Sequence, residues 1–348
     1  MGVYAALTGG EGSFGKATLE GVQLAADEIN AAGGVQGRKV RLVIEDDQGR
    51  AEDAASVVTK LITRDDVIAV IGENSSNQSL AAAPVCQHAK VPMISPSSTN
   101  PNVTKKGDYI FRVCFTDPYQ GKALAAFVRN TLHANNAAIL RDNKSDYSVG
   151  LAEVFRTQFA AMGGKIVVEQ SYTGGDAEFR PQLTSMKAAN PEVIFVPGFY
   201  TEVGQIARQA RELGINVPLV GGDGWDAPSL LDIGKESLNG CYFSDHYFVD
   251  EPRPAVQRFV AAIRKKYNEN PAANAALGYD ALHILTDAIT RAGGTTDRKL
   301  IRDQIAATKA YQGVSGVITM GPDRDPIKPV AMIKIDSGKT QFAGWITP

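Results

Sequence analysis

Cysteine and histidine are scarce in this chain, and their scarcity removes whole classes of function. Three cysteines, Cys86, Cys114 and Cys241, stand among 348 residues with no C-x-x-C spacing. An odd, unspaced set argues against a disulfide framework or a zinc site and leaves buried thiols acting as small apolar side chains. The four histidines, His88, His133, His246 and His283, fall at no metal-ligand spacing. They read as solvated or helix-face residues, and no metal is expected. An excess of one charge is missing too: 36 Lys and Arg against 38 Asp and Glu leave −2, with the cations scattered. That argues against a nucleic-acid or anionic-membrane partner. No apolar run approaches the ~20 residues of a transmembrane helix. Met1-Gly2 leads straight into V-Y-A-A-L with no leader pattern, so a cytosolic protein and one whose export signal has been removed both fit.

Catalytic signatures are also lacking. There is no G-x-S-x-G elbow, no H-E-x-x-H and no Walker-type loop. One fingerprint is literal: Gly10-Glu-Gly12-Ser-Phe-Gly15 matches G-x-G-x-x-G between a strand and a helix. As a dinucleotide site it would make the protein an NAD(P)-dependent oxidoreductase. Two features speak against that. Glu45, closing the second strand, follows Gly15 by 30 positions, where the fingerprint expects about 20. Thr8-Gly9-Gly10 also lengthens the turn. With no nucleophile beside a base, the sequence favours a binder, neither enzyme nor cofactor carrier.

What is present is an ordinary core-forming composition, 44% hydrophobic and 21% charged, on a chain long enough for two lobes. Strand and helix patterns alternate. Val3–Leu7, Arg41–Glu45, Val67–Ile71, Val91–Ile94 and Tyr109–Phe115 read as strands, with helices over 19–32, 54–63 and 81–88. The series then restarts, with strands at 137–140, 166–169, 193–196, 218–220 and 240–243 and helices at 147–162, 179–188 and 203–213. Three helical patterns, 256–267, 275–291 and 300–308, precede short strands at 317–320, 330–335 and 341–345. Two successive βα series predict two parallel sheets with right-handed crossovers, hence an α/β protein of two Rossmann-like lobes.

The stretch from Val67 to Pro101 draws the eye. Two buried strands each end in a hydroxyl-rich turn, Asn74-Ser75-Ser76-Asn77 and Ser95-Pro96-Ser97-Ser98-Thr99, at the carboxyl ends where open α/β sheets bind ligands. A helix capped at Asn77 or Ser79 would follow the first turn. Hydroxyls and amides at a helix start suit a small anion such as a carboxylate, and simple capping explains them equally well.

The segments V-I-G-E-N-S-S, M-I-S-P-S-S-T-N-P, Y-I-F-R-V-C-F-T-D-P, D-Y-S-V-G-L-A, G-F-Y-T-E-V-G-Q-I-A-R-Q-A-R and G-G-D-G-W-D occur in that order. Together they closely resemble the periplasmic branched-chain (leucine/isoleucine/valine) amino-acid binding proteins of ABC transporters, over essentially the whole chain. The resemblance implies a type I periplasmic-binding-protein fold: two doubly wound lobes, three hinge crossovers and a ligand cleft between the lobes. The lobes would be 1–118 plus 250–325, and 119–249 plus 326–348. It implies a periplasmic or extracytoplasmic monomer that closes on an L-α-amino acid and delivers it to a membrane permease. A ligand-sensing receptor on the same fold is the alternative.

Carried over by motif, Ser76 and Thr99 would hold the ligand carboxylate, with Ser75 beside them. The Ser97 carbonyl, the Thr99 hydroxyl and the Asp223 carboxylate would take the ammonium. Tyr147 and Tyr200 would close over the ligand, and Phe14, Asn74, Asn274 and Trp225 would border its side chain. Helix capping by Asp223 and core packing by either tyrosine are the plain alternatives. The chain departs from the family pattern in three ways: no cysteines at Gln48–Gly49 and Ser75, the shorter Asp223 in place of a glutamate, and Asn274 where relatives place an aromatic. The last implies a more polar pocket, so that a small or polar amino acid stands beside leucine as a candidate ligand.

Overall fold

The computed structural model describes residues 1–346. The chain forms two compact units, one of Met1–Thr116 with Val249–Lys328, the other of Asp117–Phe248 with the segment from Pro329 onward. The first unit opens with β1 (Gly2–Ala5), α1 (Gly12–Ala31), β2 (Val43–Asp46), α2 (Ala51–Thr63), β3 (Val70–Ile71), α3 (Ser76–His88), β4 (Met93–Ser95) and β5 (Ile110–Arg112). Its five strands lie in the order β2-β1-β3-β4-β5, all parallel.

The second unit repeats the plan with α4 (Asp117–Asn130), β6 (Asn136–Asp142), α5 (Asp146–Ala161), β7 (Lys165–Tyr172), α6 (Arg180–Ala188), β8 (Val193–Phe195), α7 (Tyr200–Glu212), β9 (Leu219–Gly221), α8 (Pro228–Gly234) and β10 (Cys241–Asp245). The chain returns to the first unit for α9 (Pro254–Tyr267), α10 (Ala273–Arg291), α11 (Arg298–Ala306) and the hairpin of β11 (Tyr311–Gly313) and β12 (Gly316–Ile318). It ends in the second unit as β13 (Val330–Asp336) and β14 (Lys339–Ile346), added antiparallel beside β10. The parallel part of that sheet runs β7-β6-β8-β9-β10, the strand order of the first unit.

The strand sequences explain the layering. Val3, Ile71, Ile94 and Phe111 pack on one face of the first sheet with α1, α10 and α11. Their neighbours Tyr4, Val70, Met93 and Ile110 pack on the other with α2 and α3. Successive side chains in a strand point to opposite faces, so a sheet covered by helices on both sides needs unbroken apolar runs. Cys86, Cys114 and Cys241 are free and buried, as their apolar settings predict, and burial pushes the Cys86 thiol up to about 12.

The element boundaries differ from the sequence reading in an instructive direction. In the first unit strands are shorter than their apolar runs, β3 being two residues where five were expected, because a run stays buried beyond the last ladder bond, whereas β6 and β7 of the second unit extend past both ends of the strands read from the sequence. Helices begin earlier. α3 starts at Ser76 with Ser75 as its cap residue, rather than at Asn77 or Ser79, because the Ser79 hydroxyl turns back to the Glu73 peptide. α1 starts at Gly12, absorbing the glycine fingerprint.

α1 lies directly against α10, and Gly21 permits the approach: a Cβ there would come within 1.9 Å of the Ala275 carbonyl oxygen. The contact brings the Thr18 hydroxyl 3.5 Å from the Asn274 carbonyl oxygen. Gly21→Ala gains up to ~1 kcal/mol of helix propensity but forces two backbones apart, and overpacking costs about 1–3 kcal/mol. Urea unfolding should therefore show a net loss of up to about 2 kcal/mol; a raised stability would show that the two helices are free to separate.

Candidate ligand-binding site

Both units place polar side chains at the carboxyl ends of their parallel strands, where the strand order reverses and ligands of such sheets bind. In the first unit the loop after β3 is the centre. The Glu73 carbonyl oxygen accepts from the hydroxyls of Ser95 (2.8 Å), Ser98 (3.0 Å) and Ser79 (3.3 Å). Its carboxylate accepts from the amides of Ala6 (3.0 Å) and Ser75 (2.5 Å). One residue thus joins the ends of β1, β3 and β4. Burial first, then the neighbouring Asp47 and Glu11 carboxylates, hold the Glu73 carboxyl well above the usual range.

The loop after β4 is fixed by Arg112, whose side chain is wholly buried. Its guanidinium donates to the carbonyl oxygens of Ser98 and Asn100 and pairs with Asp325 at 2.6 Å. Ser97 and Thr99 are therefore presented on a clamped turn. The Thr99 Oγ1 is buried without a hydrogen-bond partner, and the Ser76 hydroxyl accepts from the Asn100 amide at 3.2 Å. Asn74 Nδ2 donates to Thr18 Oγ1 (2.5 Å), Asn274 Oδ1 (2.9 Å) and Ser97 Oγ (3.1 Å). Phe14, one helical turn before Thr18 on α1, is buried, and the Ser75 hydroxyl bonds Glu11. The structure thus gathers Asn74, Ser75, Ser76, Ser97, Thr99, Asn274 and Phe14 around one end of the first sheet.

In the second unit the centre is Asp223, on the turn after β9. Its Oδ1 accepts from the Tyr147 hydroxyl and from Gln120 Nε2, each at 3.0 Å, and its Oδ2 lies 3.0 Å from His246 Nε2. The Asp223 side chain is 8% exposed. Tyr147 also accepts from the Gly224 amide at 3.1 Å and stacks on Phe199 with ring centroids 5.3 Å apart. Burial, and then the charges of Asp223 and Asp117, keep its phenol protonated and so a donor. Tyr200 opens α7 and is 5% exposed.

Several expectations need correction. Asp223 does not cap α8: the cap position is Ala227, with no side-chain bond, because Asp223 is held by three other partners. Trp225 does not face the strand-end surface. Its ring is fully buried near Phe243, 6.2 Å between centroids, and its Nε1 donates to the Val196 carbonyl oxygen at 2.9 Å. Nor are all four histidines solvated or on helix faces: His246 is buried directly after β10. With Gln120 it is a site residue that the sequence reading missed, and its position at the carboxyl end of a strand was the available signal. Of the three glycines in the Gly10–Gly15 match, Gly15 alone is demanded by packing. A Cβ on Gly15 would lie 2.0 Å from the Ala6 carbonyl oxygen, and the Glu11 carboxylate stands at the helix start where a pyrophosphate would need bare amides.

Two doubly wound units of identical strand order, with the chain passing between them three times, define a type I periplasmic-binding-protein fold. The chain belongs to the periplasmic binding protein family, whose model matches residues 1–340. Among solved structures it is similar to a leucine binding protein, LivK, from Thermotoga maritima, at 39% identity and TM-score 0.95 over 100% of this chain and 98% of that one. It is also similar to the branched-chain amino acid transporter substrate binding protein LivJ from Streptococcus pneumoniae in complex with isoleucine, at 36% identity and TM-score 0.95 over 100% and 99%. An amino acid binding protein from Pseudomonas aeruginosa is 31% identical over 86% of this chain and 80% of its own length.

The carboxyl cluster gives the polar end of the first unit a pH signature. Burial raises Asp47 to about 6, opposed by the Gly49 amide that bonds it. A carboxyl whose folded value exceeds its unfolded value stabilises fully below about pH 4 and loses that contribution as pH rises through about 6. Asp47→Asn keeps an acceptor for Gly49 and removes the charge. Its melting temperature should exceed the parent's at pH 7.5, with the difference shrinking as pH falls through about 6 and vanishing only below about pH 4 in thermal scans. A constant offset across that range would mean that Asp47 ionises no differently in the folded chain.

Proposed function

We propose that this protein is an extracytoplasmic solute receptor that binds an L-α-amino acid as a monomer and hands it to the membrane permease of an ABC transporter, without catalysing a reaction. The observation that supports this most directly is Asp223, a buried carboxylate whose side-chain partners are an amide, a phenol and an imidazole, with no lysine or arginine paired to it among the described residues. A ligand ammonium is a fitting counter-charge, because a buried charge demands a paired and hydrogen-bonded partner. The clamped hydroxyls of Ser76 and Thr99 and the start of α3 suit the carboxylate of the same zwitterion, with the Ser97 carbonyl as a further acceptor for the ammonium. Tyr147 and Tyr200 then lie over the bound molecule. The isoleucine complex of LivJ supports an amino acid as the ligand class.

Truncating one partner of a buried charge pair costs roughly 2–5 kcal/mol, about thirty- to several-thousand-fold in affinity. Asp223→Asn should weaken amino-acid binding by that factor and leave binding of the matching deaminated acid nearly unchanged. Calorimetric titration of both ligands against both proteins gives the comparison, and equal losses for the two ligands would remove Asp223 from ammonium recognition.

One ligand taking contacts from both units would draw them together about the three chain passages, a hinge closure. Saturating ligand should therefore lower the radius of gyration in solution scattering. An unchanged profile with ligand proven bound would show that binding proceeds without closure.

A further inference from the structure

The amide cluster of the first unit carries an inference about which amino acid is bound, and it rests on the amino-acid reading above. Asn74, on the loop after β3, and Asn274, at the start of α10, are 200 residues apart and bond each other at 2.9 Å. Both are more than nine-tenths buried, at 6% and 7% exposure. One end of the Asn74 amide is saturated, with Thr18, Ser97 and Asn274 all on Nδ2. The other end, Oδ1, is buried with no partner.

Exchanging the oxygen and nitrogen of that amide would not remove the orphan. The same end would still face Thr18, Ser97 and Asn274, and the opposite end would still lack a partner. Primary amides buried this deeply are costly unless both ends are satisfied. Within this unit they bond Ser97 of the Ser97–Thr99 turn and Thr18, one helical turn from Phe14, next to residues that the amino-acid reading sets around the ligand. An aliphatic ligand side chain would seal the orphan in. A hydroxyl or carboxamide would complete it.

We propose that the ligand is an L-α-amino acid with a small hydroxyl- or carboxamide-bearing side chain, and that Asn74 and Asn274 select it over the branched aliphatic amino acids. Sites built to hydrogen-bond a ligand group discriminate strongly against the analogue lacking it, whereas apolar pockets barely separate isosteres.

Threonine and valine are such isosteres, and the experiment titrates both, with asparagine and leucine as a second pair, into the purified protein by calorimetry. We expect threonine to bind at least about tenfold more tightly than valine, and asparagine more tightly than leucine, on the same grounds. In Asn74→Val/Asn274→Leu the order should reverse, with the single variant Asn274→Leu as the fallback should the double variant not fold. The comparison on the parent protein needs neither. Valine and leucine binding as well as or better than their polar counterparts would overturn this inference and leave the amino-acid reading standing. Failure of all four to bind, while the protein gives a cooperative unfolding transition, would overturn that reading and this inference with it.

Discussion

Glu73 holds the polar end of the first unit together. Its peptide oxygen gathers three serine hydroxyls and its carboxylate takes two backbone amides, so one residue ties the ends of β1, β3 and β4. Parallel strands leave their last peptides without ladder partners, and an unmet buried peptide group costs about as much as a lost hydrogen bond. Here side chains close that account. The consequence is a turn whose serine and threonine atoms are set by covalent and hydrogen-bonded geometry before any ligand arrives, which lowers the ordering cost of binding. Arg112 does the same for the next loop from below, through the carbonyls of Ser98 and Asn100.

The second unit solves a different problem with the same topology. Its strand-end centre is a single acid, Asp223, met by the Tyr147 hydroxyl, the Gln120 amide and the His246 ring. Tyr147 is kept a phenol by burial and by nearby negative charge. Gln120 is oriented by accepting from Ser244 at 2.8 Å while donating to Asp223 and Asp117. The two strand-end centres differ in chemistry, one rich in hydroxyls and amides, the other built around a single acid.

Much of this was legible in the amino-acid sequence, because the local rules and the tertiary outcome agree. Apolar runs such as Val67–Ile71 and Ala137–Leu140 marked strands buried on both faces. Regular alternation of strand and helix patterns fixed the parallel, doubly wound class, and hydroxyl-rich turns marked the carboxyl ends of β3 and β4. The Gly10–Gly15 match shows the limit. Pattern alone could not distinguish a glycine opened to a phosphate from one pressed against the Ala6 carbonyl, since both uses require the absence of a side chain.

Composition, periodicity and turn chemistry determined by themselves the fold class, the number of units and the neighbourhood of the strand-end loops, all of which depend on residues close in sequence. Tertiary structure alone decided which distant side chains meet. It turned Trp225 inward, brought His246 and Gln120 to Asp223, and set Asn274 against Asn74. The physical reason is the same in each case. A side chain's direction depends on the packing of the element that carries it, and a hydrogen bond between residues 200 positions apart leaves no periodic trace in the chain.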